Sequence, residues 1–131
     1  MRQRLREQRG ASAVEFALVL PLLIVLVIGI AEFGRAFQVQ GTLSAAAREG
    51  VRTMALQNDQ AQAKAMVRSV ASSLDPALTD GQIAISPASC PATYTSGASV
   101  KLTISYRLPL ITNFFGAGLD LHASGVMRCN G

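Results

Sequence analysis

The chain has no tryptophan, one histidine and two cysteines in 131 residues, and its charged residues amount to only 15% of the total. These scarcities exclude several function classes. Two cysteines and one histidine cannot supply the four closely spaced ligands of a structural zinc site, so no metal site is expected. The lone His122 has only Asp120 beside it on a predicted strand face, which falls short of an acid–base constellation. No glycine-rich phosphate loop, nucleophile elbow or carboxylate cluster is present, so no catalytic residue, cofactor or small-molecule substrate is expected. An envelope enzyme is therefore set aside. Aromatic residues make up 5%, and no basic stripe interleaves with them to contact phosphates and bases, which sets aside nucleic acid as a partner.

The net charge of +4 does not restore that partner once it is located. Residues 1–9 carry Arg2, Arg4, Arg6 and Arg9 against Glu7, a net +3, and leave about +1 for the rest of the chain. Arginines clustered ahead of an apolar helix mark the cytoplasmic side of a membrane. At this length the chain has room for one small domain and one membrane segment.

What is present begins with that segment. From Phe16 to Ala31 no residue is charged, which is about 24 Å of helix. Including Ala11 to Val14 lengthens the apolar stretch to about 21 positions, near the ~20 a bilayer needs, and sets Glu15 at the membrane edge. A lone carboxylate there is costly and calls for a partner or a function. Pro21, further along, removes a backbone donor and invites a kink, although membrane helices tolerate proline. Three processing routes fit this N-terminus. A secretory signal peptide would be cut after Gly29-Ile30-Ala31, but Glu15 and Pro21 sit poorly in its apolar region, and the helical pattern continues past Ala31. An uncleaved signal anchor is physically sufficient. Cleavage on the cytoplasmic side, between Gly10 and Ala11, would leave the apolar segment on the mature protein with Glu15 at its fifth position.

The run Arg9-Gly10-Ala11-Ser12-Ala13-Val14-Glu15-Phe16-Ala17-Leu18-Val19-Leu20-Pro21, followed by Gly29-Ile30-Ala31-Glu32-Phe33-Gly34-Arg35, closely resembles the start of TadE-like pseudopilins of the tight-adherence (Flp) pilus system. The block Leu43-Ser44-Ala45-Ala46-Ala47-Arg48-Glu49-Gly50-Val51-Arg52 resembles the family's segment just beyond the membrane. The resemblance implies a prepilin-type peptidase that cuts after Gly10 and makes Ala11 the mature N-terminus. It implies an assembly role for Glu15 and the adjoining Phe16, with other pilin-like subunits and pilus assembly membrane proteins as partners, along with membrane lipid. Physics gives Glu15 an independent rationale: the amino group freed at Ala11 and the carboxylate one turn away could pair between neighbouring subunits, each lowering the other's desolvation cost.

Downstream, Ala31 to Leu56 lacks proline, and Ala36, Val39, Leu43, Ala47, Val51 and Met54 recur at spacings of three and four, so the helix is expected to continue from residue 12 to about residue 56 with one apolar face. Glu32 with Arg35, and Glu49 with Arg52, stand at the spacing of solvated helix-surface pairs. Gly29, Gly34 and Gly41 fit either a bundling face or flexible points in the rod. Asn58-Asp59 reads as a break with a new N-cap, opening a second helix from Gln60 to Leu74 that Asp75-Pro76 ends.

Then the period changes. Gln82 to Ser86, Ser99 to Leu108 and Leu119 to Met127 read as strands, with Val100, Leu102, Ile104 and Tyr106 on one face. The connection from Pro109 to Gly118 carries Phe114 and Phe115, which either fold back on the core or present a partner or membrane contact. Cys90 and Cys129, placed outside the cytoplasm by this topology, are most simply a disulfide.

The expected fold is α+β: a long N-terminal transmembrane helix extending out of the membrane, a second helix, and an antiparallel sheet of about three strands. The expected parts are a cytoplasmic leader over residues 1–10, the pilin-like helix over 11–57, and a periplasmic or extracellular α+β head over 58–131. The expected setting is the bacterial cytoplasmic (inner) membrane, spanned once with the N-terminus inside. A membrane-tethered binding module with an uncleaved anchor is the alternative function.

Overall fold

The computed structural model describes the backbone of residues 2–93 and 97–129, and the side chains of residues 10–93 and 97–129. Helix α1 runs Arg2–Gln57 and α2 runs Gln60–Val70; the strands are β1 (Ile83–Ser86), β2 (Ser99–Leu108) and β3 (Leu119–Arg128). Single 3-10 turns at Asp80–Gln82 and Asn113–Phe115 precede β1 and β3. A long N-terminal apolar helix, a second helix and a three-stranded antiparallel sheet in the order β1-β2-β3 make the α+β arrangement expected from the sequence.

The chain divides into two compact units, Met1–Arg35 and Ala36–Gly131. In the first, α1 continues unbroken through Pro21, so the proline is accommodated inside the helix. The helix is long and apolar enough to cross a membrane by length and composition, and none of its most apolar stretch is buried. Most of the large apolar side chains there, Phe16 and Leu22 among them, are exposed, while Val25 and Ile28 are half-buried.

The second unit holds the core. Its part of α1 buries Ala36, Val39, Leu43, Ala47, Val51 and Met54, the six positions expected from spacing, together with Ala46 and Ala55. Alternation along β2 buries Val100, Leu102, Ile104, Tyr106 and Leu108 and turns Lys101, Ser105 and Arg107 outward, as a strand with one covered face requires. In the β2–β3 ladder Leu102 pairs with Gly125 and Ile104 with Ala123, so β3 sets its smallest residues on the covered face. The reason is proximity to α1. A Cβ at Gly125 would lie 2.8 Å from the Ala47 carbonyl oxygen and 2.9 Å from Val51 Cγ1, and one at Gly50 would collide with Val67 of α2 and stand 2.8 Å from Leu102 Cδ1. Glycine at these two positions lets helix, helix and sheet close without a gap.

The break between the helices follows the expected chemistry. Asn58 adopts a left-handed φ of 52° and its N–H returns to the Met54 carbonyl (2.9 Å), a C-terminal cap that asparagine tolerates. Asp59 Oδ1 then accepts from the Ala61 and Gln62 N–H groups at 2.8 and 3.2 Å, capping α2. Helix α2 ends at Val70, four residues before the expected Leu74. Ala71 takes φ −90°, ψ 17°, and the chain tightens into turns in which Ser72 bonds back to Ser69 and Leu74 to Ala71. Ser72 and Ser73 are weak helix formers, and Pro76 bars its predecessor from the helical region, so the last turn has nothing to sustain it. Leu74 and Leu78 are nevertheless buried. Strand β1 begins at Ile83 because Gln82 closes the preceding turn, its side chain accepting from the Thr79 N–H at 2.8 Å.

Candidate processing and assembly segment

Gly10, Ala11, Glu15 and Phe16 lie in the first unit, all on α1 and all exposed. A helix lifts the chain about 1.5 Å per residue, so the Gly10–Ala11 bond and Glu15 are one turn apart, with Ala11 and Glu15 on the same side. A Cβ built at Gly10 meets nothing within 4 Å among the described residues, so none of them crowds that position. Phe16, 63% exposed, stands at the start of a surface that includes Leu18, Leu22, Leu26 and Ile30. Chemically the segment offers one carboxylate at the head of a wholly apolar, unburied helix.

Glu32 departs from expectation. It is 3% exposed, the only charged residue among the buried side chains described, and so does not lie on the solvated helix surface that its spacing to Arg35 suggested. It stands four residues before Ala36 and seven before Val39, so it continues the buried stripe of α1. Carrying that stripe back one turn from Ala36 would have found it; the three-residue spacing to Arg35 drew attention to the other face. Glu49 and Arg52 are exposed, as surface positions.

In the second unit Cys90 and Cys129 are joined across 39 residues of sequence, with Cα atoms 5.6 Å apart. Both are buried. Asn58 holds the Cys90 backbone at both ends, its side-chain carbonyl accepting from the Cys90 N–H and its amide donating to the Cys90 carbonyl. The Cys129 N–H donates to the Ala98 carbonyl at 2.9 Å. The bridge therefore fastens the end of β3 to the loop after β1, beside the turn between the helices.

His122 and Asp120 have separate neighbours. His122 Nδ1 lies 3.2 Å from Ser105 Oγ, while Asp120 pairs with Arg107 at 3.0 Å on an exposed surface. Among the described residues no group of three or more histidine, cysteine or acidic side chains is placed to hold a metal ion. The Pro109–Gly118 connection resolves between its two readings: Phe114 and Phe115 stack edge to face at 5.5 Å, yet Phe114 is 67% and Phe115 47% exposed, and Ile111 beside them 65%. The phenylalanines do not fold back into the core.

The family model for TadE-like protein matches residues 10–52, a span that opens at the candidate cut and takes in Glu15, the apolar helix and the first buried turns of the compact unit. No curated protein and no solved structure matches the chain. From Gly10 onward the match takes in the sequence blocks that carried the resemblance, and over that span the chain is similar to TadE-like proteins.

Proposed function

We propose that this protein is a membrane-anchored pseudopilin, a minor pilin, that takes part in assembling a tight-adherence (Flp) type IV pilus. A prepilin-type peptidase cuts it after Gly10. The leader, residues 1–10, stays in the cytoplasm with its arginines; residues 11–57 form the spanning and extended helix; residues 58–131 complete a head on the periplasmic or extracellular side of the inner membrane. The partners are the peptidase, other pilin-like subunits, the pilus assembly membrane proteins and lipid. The carrying observation is the exposed Glu15 carboxylate one turn beyond an uncrowded Gly10–Ala11 bond, at the head of an unburied apolar helix. A carboxylate in that position is costly in a bilayer unless a cation meets it, and cleavage creates one at Ala11. Pairing of Ala11 with Glu15 of a neighbouring subunit would then fix the register of assembly.

Glu15→Ala tests the role. The variant should still be cut and inserted but should lose co-assembly with pilin-like subunits, read by crosslinking and co-purification from membranes. Unchanged co-assembly of a cut, inserted variant would sink the assembly role of Glu15.

A further inference from the structure

We infer that the Pro109–Gly118 loop is a lipid contact that seats the head on the bilayer interface; the inference rests on the membrane-anchored reading above. Three observations within the second unit carry it. The first is the register of β3 along α1. Gln40 Nε2 donates to the His122 carbonyl at 2.8 Å, and Gly125 lies against Ala47 and Val51. From His122 to Gly125 a strand advances about 10 Å, and from Gln40 to Ala47 a helix advances about 10 Å. Strand and helix therefore run side by side in the same direction. Counting back from His122, Leu119 and the loop before it fall at the end of the unit where α1 enters it, at Ala36. An apolar helix of membrane length leads into that end.

The second observation is charge. From Leu108 to Leu119 the chain carries no charged residue, and the first charges on either side, Arg107 and Asp120, are partners in the β2–β3 register and pair at 3.0 Å. The loop is thus an uncharged tip on a charged base, the order of polarity that a membrane interface presents from hydrocarbon to headgroup.

The third is exposure. Ile111 and Phe114 are about two-thirds exposed, a cost in water that burial in the interfacial zone would remove. Lipid is the occupant favoured over protein because the same end of the unit receives the apolar helix.

The absence of tryptophan makes a direct test possible. Phe114→Trp and, as a second reporter, Ile111→Trp each give the full-length chain a single fluorophore. Phe16→Trp in the span and Val126→Trp on the exposed face of β3 serve as references. Each variant is reconstituted in phosphatidylcholine vesicles with and without brominated acyl chains. The expected result is blue-shifted emission from both loop reporters that brominated lipid quenches, quenching of Phe16→Trp, and water-like, unquenched emission from Val126→Trp. Water-like, unquenched loop reporters beside a quenched Phe16→Trp overturn the lipid contact and leave the anchor standing. Blue-shifted but unquenched loop reporters indicate protein packing and also overturn it. An unquenched Phe16→Trp removes the anchor itself, and the loop contact with it.

Discussion

One helix, α1, is treated in two ways along its length. From Gly10 to Arg35 most of its large apolar residues are exposed; from Ala36 onward its apolar stripe is covered by α2 and the sheet. The local structure is identical, so helix formation does not distinguish the halves. Their patterning does. The first half is apolar all round, which suits a helix surrounded by lipid or by other helices. The second is apolar on one stripe and polar on the rest, as a helix needs when the remainder of its own chain supplies the core. The difference shows where folding is completed within the chain and where it waits for an outside solvent.

Substitutions should therefore act on one half at a time. The largest effect is expected from opening the Cys90–Cys129 bridge. Closing a loop of 39 residues restricts the unfolded chain by about 4 kcal/mol. Cys90→Ser combined with Cys129→Ser should lower the thermal midpoint of the compact unit, read by near-ultraviolet circular dichroism, while leaving membrane extraction unchanged. A double variant as stable as the parent would mean that the bridge constrains little. The next effect falls on the other half. Leu26→Arg places a charge amid the exposed apolar surface and should cost insertion about 3 kcal/mol, shifting the protein from the membrane fraction to the soluble or aggregated one. A variant that stays fully inserted would break the contrast. The smallest is Asp59→Ala, which removes the α2 cap and should destabilise the compact unit by about 1 kcal/mol in chemical denaturation, with no change in insertion.

Much of this contrast was legible in the sequence because hydrophobic periodicity is a local signal. The spacing from Ala36 to Met54, the alternation in β2 and the Asn58-Asp59 cap each speak within a few residues of themselves. What was not legible depends on contacts between distant segments. Gly50 and Gly125 looked like scattered glycines, yet each marks where two elements approach too closely for a side chain, a fact that exists only once α1, α2 and β3 meet. The early end of α2 reflects two serines and a proline outweighing an apolar pattern that extends to Leu74. Glu32 was expected on a solvated surface because one spacing set it beside Arg35 while another set it on the buried stripe, and only tertiary packing decides how exposed it is. The exposed loop phenylalanines were open for the same reason, since apolarity alone does not say which surface receives them.

The central claim is the cut that would turn an arginine-rich start and a costly carboxylate into a leader and an assembly group. The mature N-terminus tests it most directly. Sequencing of the membrane-extracted protein from cells that make a prepilin-type peptidase should begin at Ala11, and should revert to the uncut start when the peptidase is removed. An intact Met1 in the presence of the peptidase, or a start at Glu32, would contradict the account.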